Sequence, residues 1–366
     1  MNEQNETRRV LITGGAGFVG AHLVRALALR KAEITVADCQ PRGVRSPLQS
    51  FGLIPFVEYL EVDVTNEGAM DRIISGKFDI IFHLAAQPIG YISERKPDKT
   101  MSCNVESTRN MLNLVREGRA RQLILASSAC AFGVPDAKKC PLKEDSPMSA
   151  GIYPYTESKQ NAETLVRESG VRASIARFVN LFGEADWHSS RIVPRIVRQL
   201  LLDKPLSLSR SNGRAVLDFL HVSDAVAGLL HVTSYVARFP ASTEFMPVFN
   251  FGSGMPISIL ELIEQVCLAF DGRARPVAIP HSIREPRMHK YLDSTRAEQQ
   301  LGWRPQVGRK LALRQTIEWY ARHGSKLHNI DEAFSESADG FSDYTHGSQP
   351  DLMRNIAVCA PALARS

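Results

Sequence analysis

A tyrosine and a lysine four residues apart, Tyr155 and Lys159, are the side chains in this sequence best suited to proton transfer. Positions i and i+4 lie one above the other on a helix face, so the two side chains are neighbours if the segment is helical. A nearby ammonium favours the charged form of a phenol and lowers its pKa, which allows the phenol to act as a base. The pair therefore predicts a catalytic base on a helix.

A glycine-rich segment near the start of the chain predicts a phosphate-binding turn. Gly14, Gly17 and Gly20 follow the apolar run at 10–12 and precede a helix-like stretch at 21–27. Glycines at this spacing let the backbone approach a pyrophosphate and let the helix pack closely on its strand. The helix N-terminus then faces the phosphates. Because a turn that binds nothing can have the same spacing, the prediction depends on the flanking strand and helix.

An acidic residue, Asp38, ends the next predicted strand at 34–38. A carboxylate at this point accepts hydrogen bonds from the adenosine ribose hydroxyls and repels a 2′-phosphate, although a solvated acid at a strand end would look the same. NAD rather than NADP is therefore the expected cofactor. Together with Tyr155 and Lys159, the cofactor indicates hydride chemistry.

Short apolar runs alternate with helix-like stretches through the first half of the chain. Strands are predicted at 57–62, 80–84, 123–126 and 173–178, with helices at 104–117 and 155–168. This alternation indicates an α/β fold, a doubly wound parallel sheet of the Rossmann type. We expect an NAD-binding domain over 1–180, a smaller, mainly substrate-binding C-terminal lobe over 181–324 with segments that can return to the sheet, and a polar, mobile tail over 325–366.

Composition excludes several classes of function. The 366 residues are 44% hydrophobic and 23% charged with a net charge of +5, as expected of a folded, soluble protein. Lysines and arginines are scattered, which argues against nucleic-acid binding. No segment has the length of a membrane span, and the polar first nine residues do not form a signal peptide. Six cysteines without CxxC spacing predict no metal site and reduced thiols in a cytoplasm.

With these features together, the chain resembles the extended short-chain dehydrogenase/reductase family, specifically its nucleotide-sugar epimerases and dehydratases. The resemblance covers about 10–320. It includes, in order, Asp63-Val64, His83-Leu84-Ala85-Ala86-Gln87, Asn104-Val105, Ser127-Ser128, Arg177-Phe178-Val179-Asn180, Asp218-Phe219-Leu220-His221-Val222, Asn250-Phe251-Gly252-Ser253-Gly254 and Leu301-Gly302-Trp303-Arg304-Pro305. It implies bound NAD, a nucleotide-diphosphate sugar as substrate, and a homodimer formed by the helices at 104–117 and 155–168.

The resemblance also implies roles for individual residues. Ser128, Tyr155 and Lys159 would be the catalytic trio, with the phenolate taking a proton from a sugar C4 hydroxyl to give a 4-keto sugar. The implied cofactor contacts are Gly14, Gly17, Phe18, Val19, Gly20, Asp38, Asp63, Val64, Leu84, Ala85, Ala86, Asn104, Ser127, Tyr155, Lys159 and Phe178. The substrate contacts are Gln87, Ser128 and Asn180, with Arg191, Arg214 and Arg284 as cations for a diphosphate. The chain departs from the family at Leu217, where an arginine is usual.

The stretch after Ser128 discriminates between activities, because a 4-keto sugar is acidic at both carbons next to the ketone. Sugar 4,6-dehydratases carry acidic or lysine residues where this chain has Ala129 and Cys130. The segment resembles instead GDP-mannose 3,5-epimerases, whose cysteine here works with a lysine that follows a tryptophan. In this chain Trp187 is followed by His188, a departure from that pattern. A thiol and an imidazole both titrate near neutral pH when suitably placed, so we predict C3 or C5 inversion by Cys130 and His188.

Other interpretations stay open. A C4 epimerase needs only the catalytic trio, while a dehydratase or decarboxylase uses the same 4-keto intermediate. Segments 86–88 and 183–187 resemble those of CDP-glucose dehydratases. A non-catalytic NAD-binding scaffold or redox sensor would bind the cofactor without turnover, because a nucleotide-binding fold does not prove catalysis. Neither the nucleotide base nor the sugar can be read from the sequence.

Overall fold

The structure, a computed structural model, describes residues 8–42, 46–69, 73, 77–151, 153–208, 213–239, 246–279 and 288–337, with side chains as far as residue 323. The strands are β1 Arg9–Thr13, β2 Glu33–Asp38, β3 Glu58–Glu61, β4 Ile80–His83, β5 Leu123–Ser128, β6 Ala173–Phe178, β7 Asn180–Phe182, β8 Leu206–Ser207, β9 Val216–Leu217, β10 Phe219–His221, β11 Val248–Phe251, β12 Ile257–Ser258, β13 Val277–Ala278 and β14 His289–Lys290. The helices are α1 Phe18–Ala28, α2 Pro47–Ser50, α3 Gly90–Arg95, α4 Pro97–Met101, α5 Ser107–Arg116, α6 Pro154–Glu168, α7 Ile192–Leu201, α8 Val222–Val236, α9 Ile259–Asp271 and α10 Arg309–Ser337. A π-helical turn, Ser102–Glu106, joins α4 to α5.

A seven-stranded parallel sheet forms the centre of the fold, in the order β11-β6-β5-β4-β1-β2-β3. Its strands are apolar on both faces, since α1 and α8 pack on one face and α5 and α6 on the other. The predicted doubly wound Rossmann sheet is therefore confirmed. The strand order reverses between β1 and β4, and ligands of such sheets bind at the carboxyl ends of the strands at this point.

The chain returns to the sheet late in the sequence. Strand β11 lies within the range predicted for the smaller lobe, but it pairs with β6 in parallel and completes the sheet. The ring of Phe251 stacks on that of Phe178 with 5.2 Å between centroids. Helix α10 continues to Ser337, so residues 325–337 of the predicted polar tail are helical, and 338–366 lie outside the described residues.

A second apolar cluster forms the core of the smaller lobe, where α7, α9 and α10 pack together. Asp224 of α8 holds the segment that contains and follows the Leu-Gly-Trp-Arg-Pro match at 301–305. The Asp224 carboxylate accepts the backbone N–H groups of Gln306 and Val307 at 3.0 and 3.1 Å. The Trp303 indole donates to the Asp224 carbonyl at 2.9 Å. This segment therefore anchors the lobe to α8 and contacts no part of the catalytic trio.

The apolar side chains of α5 and α6, including Met111, Leu112, Ala162 and Val166, pack towards the sheet. A homodimer formed by these helices stays a prediction.

No helix in the described part of the chain combines the length and hydropathy needed to cross a bilayer. Within the same residues, no cluster of histidine, cysteine and acidic side chains is suited to holding a metal ion.

Candidate active site

The turn between β1 and α1 is shaped by glycines that no larger residue could replace without movement. Gly14 has a φ of +69°, and a Cβ there would lie 2.7 Å from the backbone nitrogen of Ala85. A Cβ at Gly20 would lie 2.3 Å from the Gly14 carbonyl oxygen. Helix α1 begins after Gly17 with no side-chain cap and no acid in its first turn. Its unpaired N–H groups and positive end therefore fit a pyrophosphate.

Asp38 ties the end of β2 to this turn. One carboxylate oxygen accepts the Ala16 N–H and the other accepts the Gln40 N–H, both at 3.0 Å. Burial raises the pKa of Asp38, and these backbone donors oppose that rise. Each oxygen retains a lone pair for a ribose hydroxyl. Asp63 is exposed and accepts from the backbone and hydroxyl of Thr65, while Val64 beside it is buried.

The loop after β4, residues 84–89, is held by polar side chains on its far side. The Asn104 carbonyl accepts the Gln87 N–H at 2.8 Å, and its amide donates to the Ser158 hydroxyl at 2.8 Å. The Gln87 amide donates to the Ile89 carbonyl at 3.1 Å. Both side chains are therefore engaged in shaping the loop. This favours a positioning role for Gln87 and Asn104 over the direct ligand contacts that the resemblance implies.

The structure brings the predicted catalytic trio together at the carboxyl edge of the sheet. Ser128 is the last residue of β5, and Tyr155 lies in the first turn of α6, where it is buried and hydrogen-bonded to the Ser128 side chain. Lys159 Nζ donates to the Ala126 carbonyl at 3.1 Å and lies 6.0 Å from the centroid of the Tyr155 ring. The predicted helix face is thus the one that carries both side chains into the site.

Burial controls the ionisation of this trio. It raises the pKa of Tyr155, with Cys130 adding to the rise, while the Ser128 hydrogen bond and the charge of Arg191 oppose it. Burial lowers the pKa of Lys159 to about 8, and the negative charge of Glu163 opposes that fall. The expectation that the lysine would bring the phenol below its usual pKa is therefore wrong for the protein alone, because desolvation outweighs nearby charge.

Two charged residues that the sequence analysis missed lie beneath Lys159. The Arg177 guanidinium donates to both Glu163 oxygens at 2.8 and 2.6 Å, with both side chains almost completely buried. Ser127, predicted to contact the cofactor, donates to Glu163 at 2.6 Å instead. Glu163 stands four residues after Lys159 and eight after Tyr155, so helical spacing alone places all three on one face.

Replacing Glu163 with glutamine should lower the pKa of Lys159 below about 8, because the negative charge that holds its proton is removed. Lys159 then loses its proton at a lower pH, so the alkaline limb of the pH–rate profile for NADH formation should move to lower pH. Glutamine keeps one acceptor but leaves the buried Arg177 cation without its negative partner, so we expect a loss of about 3 to 5 kcal/mol in stability. pH–rate profiles with UDP-glucose and urea unfolding measure the two effects. Glu168→Gln, on the exposed end of α6, is the control, and an unmoved alkaline limb would contradict the role of Glu163.

The thiol predicted to act beside the trio has a neighbour that the sequence analysis missed. Cys130 follows Ser128, whose hydroxyl accepts its N–H at 3.1 Å. Lys290, on β14, places its Nζ 3.7 Å from the Cys130 sulfur. No local pattern could indicate this contact, because the two residues come from distant parts of the chain.

The loop at 183–191 carries the other predicted residues of this region. His188 shares a hydrogen bond of 3.0 Å with Ser190, and burial, with the charge of Arg191, lowers its pKa to about 4. It is therefore neutral at pH 7, and the expectation that this imidazole titrates near neutral pH is wrong for the protein alone, because burial disfavours its charged form. Arg191 donates to Asp186 at 2.8 Å and lies over the Phe18 ring, 5.7 Å from its centroid. Its charge thus faces both the glycine turn and Tyr155.

The other predicted contact residues have partners outside the trio, and one of them lies outside the described residues. Phe178, predicted to contact the cofactor, is buried against Phe251. The exposed Asn180 donates its amide to the Asp218 carbonyl at 3.1 Å. Arg214 is exposed, and Arg284 lies outside the described residues.

Comparison with known proteins is consistent with this geometry. The model of the NAD dependent epimerase/dehydratase family matches residues 10–246. UDP-glucuronic acid decarboxylase 1 of Danio rerio is 30% identical over 331 residues, which are 87% of this chain and 74% of the relative. UDP-glucose 4-epimerase of Lactobacillus helveticus is 25% identical over 81% of this chain and 92% of its own length.

Two solved structures share both the fold and a quarter of the sequence. UDP-glucose 4-epimerase of Thermotoga maritima, crystallised with UDP-glucose, superposes with a TM-score of 0.75 at 25% identity and covers 86% of this chain and 99% of its own. MoeE5, in complex with UDP-glucose and NAD, superposes with a TM-score of 0.73 at 25% identity over the same shares. Each of these two similarities spans the sheet and the smaller lobe together.

Proposed function

Because the chain belongs to the NAD-dependent epimerase/dehydratase family and has NAD as its cofactor, we propose that it is a nucleotide-sugar epimerase acting through a 4-keto intermediate. The observation that carries the proposal is the convergence of Ser128, Tyr155 and Lys159 beside a glycine turn suited to a pyrophosphate. The similarity to UDP-glucose 4-epimerases supports it.

Bound NAD supplies the acceptor, and later the donor, of the hydride at the sugar carbon. Tyr155 Oη takes the proton of the C4 hydroxyl, and Ser128 Oγ hydrogen-bonds and orients that hydroxyl. The Lys159 ammonium would stabilise the phenolate in the complex with NAD and sugar, whereas in the protein alone burial of Tyr155 outweighs nearby charge. Burial of Tyr155 and Lys159 keeps water from competing with the sugar for these contacts.

Asp38 and the glycine turn position the dinucleotide. The N-terminus of α1 would hold the pyrophosphate, and the Asp38 carboxylate would accept from the adenosine ribose. Arg191 lies between this turn and Tyr155, so its cation is placed to pair with a diphosphate. The C-terminal lobe would close over the nucleotide sugar.

Cys130 distinguishes inversion at C4 from inversion beside the ketone. The trio alone serves a C4 epimerase, which turns the ketone over and returns the hydride. The Cys130 thiol lies two residues after Ser128 and is close enough to affect the pKa of both Tyr155 and Lys159, which is consistent with a position beside the bound sugar. This supports removal of a carbon-bound proton at C3 or C5, with His188 as the predicted second acid/base group.

A second candidate is decarboxylation of a nucleotide-linked uronic acid. It is favoured by one finding, the similarity to UDP-glucuronic acid decarboxylases at 30% to 32% identity. Oxidation at C4 of a uronic acid gives a β-keto acid, which loses carbon dioxide without a dedicated base. The same trio would therefore begin both reactions.

Product analysis separates the candidates. The protein is incubated with NAD and, one at a time, UDP-glucose, UDP-glucuronic acid, GDP-mannose and CDP-glucose, and products are examined by mass spectrometry and NMR. We expect at least one sugar to be recovered with unchanged mass and an inverted centre. Loss of carbon dioxide or water would replace the epimerase proposal with a decarboxylase or dehydratase. Absence of both NADH and product with every probe would favour the non-catalytic scaffold.

A further inference from the structure

We propose that Lys290 holds Cys130 in its thiolate form, so that the thiolate takes the carbon-bound proton next to the 4-ketone. Lys290 is thus a positioning residue that acts through the sulfur. The inference rests on the proposed 4-keto chemistry and goes beyond it, because it identifies the residue that activates the Cys130 thiol.

The placement of Lys290 is fixed by its strand. Leu142 N–H donates to the Tyr291 carbonyl at 3.0 Å, and Asp293 N–H donates to the Leu142 carbonyl at 2.8 Å. These bonds lock the backbone immediately after Lys290 against the segment that follows the Cys130 turn. Lys290 also pairs in register with Leu217 of β9. The Lys290 side chain therefore extends from a hydrogen-bonded strand, which fixes the position of its ammonium.

The contacts of Lys290 with described residues are a thiol and a backbone carbonyl. Nζ lies 3.7 Å from the Cys130 sulfur and donates to the Gly133 carbonyl at 3.2 Å. Within the part of the chain that the structure describes, no carboxylate forms an ion pair with it. A half-buried ammonium that faces a thiol favours the thiolate by charge, as cations beside reactive cysteines do.

The sulfur shares its surroundings with the catalytic trio. Ser128 Oγ holds the backbone of Cys130 at 3.1 Å, which keeps the thiol within one turn of the residue that orients the sugar hydroxyl. Cys130 also contributes to the pKa of both Tyr155 and Lys159 by charge, which is consistent with a position near the trio. The charged group in contact with the sulfur is Lys290 from β14.

The chemical step balances without an added reagent. The C–H bond beside the C4 carbonyl breaks, its electron pair moves into the carbonyl to form an enolate, and the proton passes to the Cys130 sulfur. The thiolate becomes a thiol. Inversion needs a second proton donor on the opposite face, but exchange of that hydrogen with solvent needs only this removal. Exchange is thus the direct measure of the step.

Alkylation tests the thiolate without any substrate. Full-length protein is treated with iodoacetamide at pH 7, and modification of the Cys130 peptide is followed by mass spectrometry, with exposed Cys39 as the internal reference. Lys290→Met should slow alkylation of Cys130 about tenfold, since the thiolate is the nucleophile. Lys290→Arg should restore the rate, and Lys139→Met, on the nearby exposed turn, should leave it unchanged. Equal rates in Lys290→Met and the unaltered protein would overturn the proposal.

Deuterium exchange tests the step itself. Each variant is incubated in D2O with NAD and UDP-glucose, UDP-glucuronic acid or GDP-mannose, and the recovered sugar is examined by NMR. The ratio of exchange at C3 or C5 to NADH formation should fall at least about tenfold in Cys130→Ala and in Lys290→Met. A fall in Cys130→Ala alone would remove Lys290 from the mechanism. An effect of Lys290→Met confined to the KM of UDP-glucuronic acid would make Lys290 a carboxylate contact instead.

The alkylation and exchange experiments distinguish a failure of the proposed 4-keto chemistry from a failure of the proposal for Lys290. If no probe yields NADH with the unaltered protein, the proposed 4-keto chemistry fails, and the alkylation rates still decide whether Lys290 activates Cys130. If NADH forms but no carbon-bound hydrogen exchanges, the C4 oxidation stands and the proton-removal proposal is wrong.

Discussion

Tyr155→Phe is expected to lower NADH formation from a nucleotide sugar by about 1000-fold, because the phenol oxygen is the only group that the trio offers as base to the C4 hydroxyl. Phenylalanine fills the same buried space, and the lost hydrogen bond to Ser128 costs about 1 kcal/mol in stability. The fold and the glycine turn should therefore remain intact. Single-turnover absorbance with UDP-glucose measures the rate, and calorimetry with NAD measures cofactor affinity.

Tyr235→Phe is the matched control, because Tyr235 lies on α8 and its hydroxyl bonds to Gln300 at 3.1 Å, away from the glycine turn. It should retain full activity. A Tyr155→Phe enzyme with more than a tenth of the normal rate and unchanged NAD affinity would show that another group takes the proton. Loss of NAD affinity together with rate would instead assign Tyr155 to binding.

Most of the sheet and the trio could be predicted because their signals are local. The strand at 173–178 was predicted with the bounds that the structure has, and the strand predicted at 34–38 begins one residue earlier, since apolar runs between turn residues need no distant partner. The helix that carries Tyr155 and Lys159 follows from their spacing. Strand β11 lies in the range predicted for the smaller lobe with segments that can return to the sheet, and which segment returns could not be read locally, because pairing with β6 depends on topology.

The rest of the site depends on contacts that no local pattern encodes. Cys130 and Lys290 are separated by 160 positions, and only the smaller lobe brings them together. Glu163 had the right helical spacing, but its role depends on the buried Arg177 from β6. The pKa of Tyr155 was predicted with the wrong sign because neighbouring charges can be read from spacing, whereas burial cannot.

Motif matches also do not specify what a residue touches. Gln87 and Asn104 match the family in order and position, yet their side chains hold the loop after β4 to α6. Ser127 likewise bonds to Glu163 beneath the site. The same sequence pattern is found when a side chain contacts the ligand and when it only positions the backbone that contacts the ligand. Only the hydrogen-bond partners distinguish the two.

Gly20→Ala is expected to reduce NAD affinity about 100-fold, equivalent to about 3 kcal/mol, although alanine favours helices by about 1 kcal/mol over glycine. The added Cβ would lie 2.3 Å from the Gly14 carbonyl oxygen and 2.6 Å from the Gly15 Cα. Both are backbone atoms of the turn that would receive the pyrophosphate, so they cannot move aside as a flexible side chain would. The helix must shift outwards, and its N-terminal N–H groups shift away from the phosphates.

Titration calorimetry with NAD measures the effect, and circular dichroism shows whether α1 persists. Gly308→Ala is the control, since a Cβ there meets no atom within 4 Å, and its NAD affinity should be unchanged. Retained affinity in Gly20→Ala would mean that the turn tolerates an outward shift of α1 and that the dinucleotide depends on Asp38 and Arg191 more than on the helix end. Because the helix end is proposed to hold the pyrophosphate and Asp38 the adenosine ribose, an Asp38→Ala measurement on the same instrument would then compare these two proposed contacts.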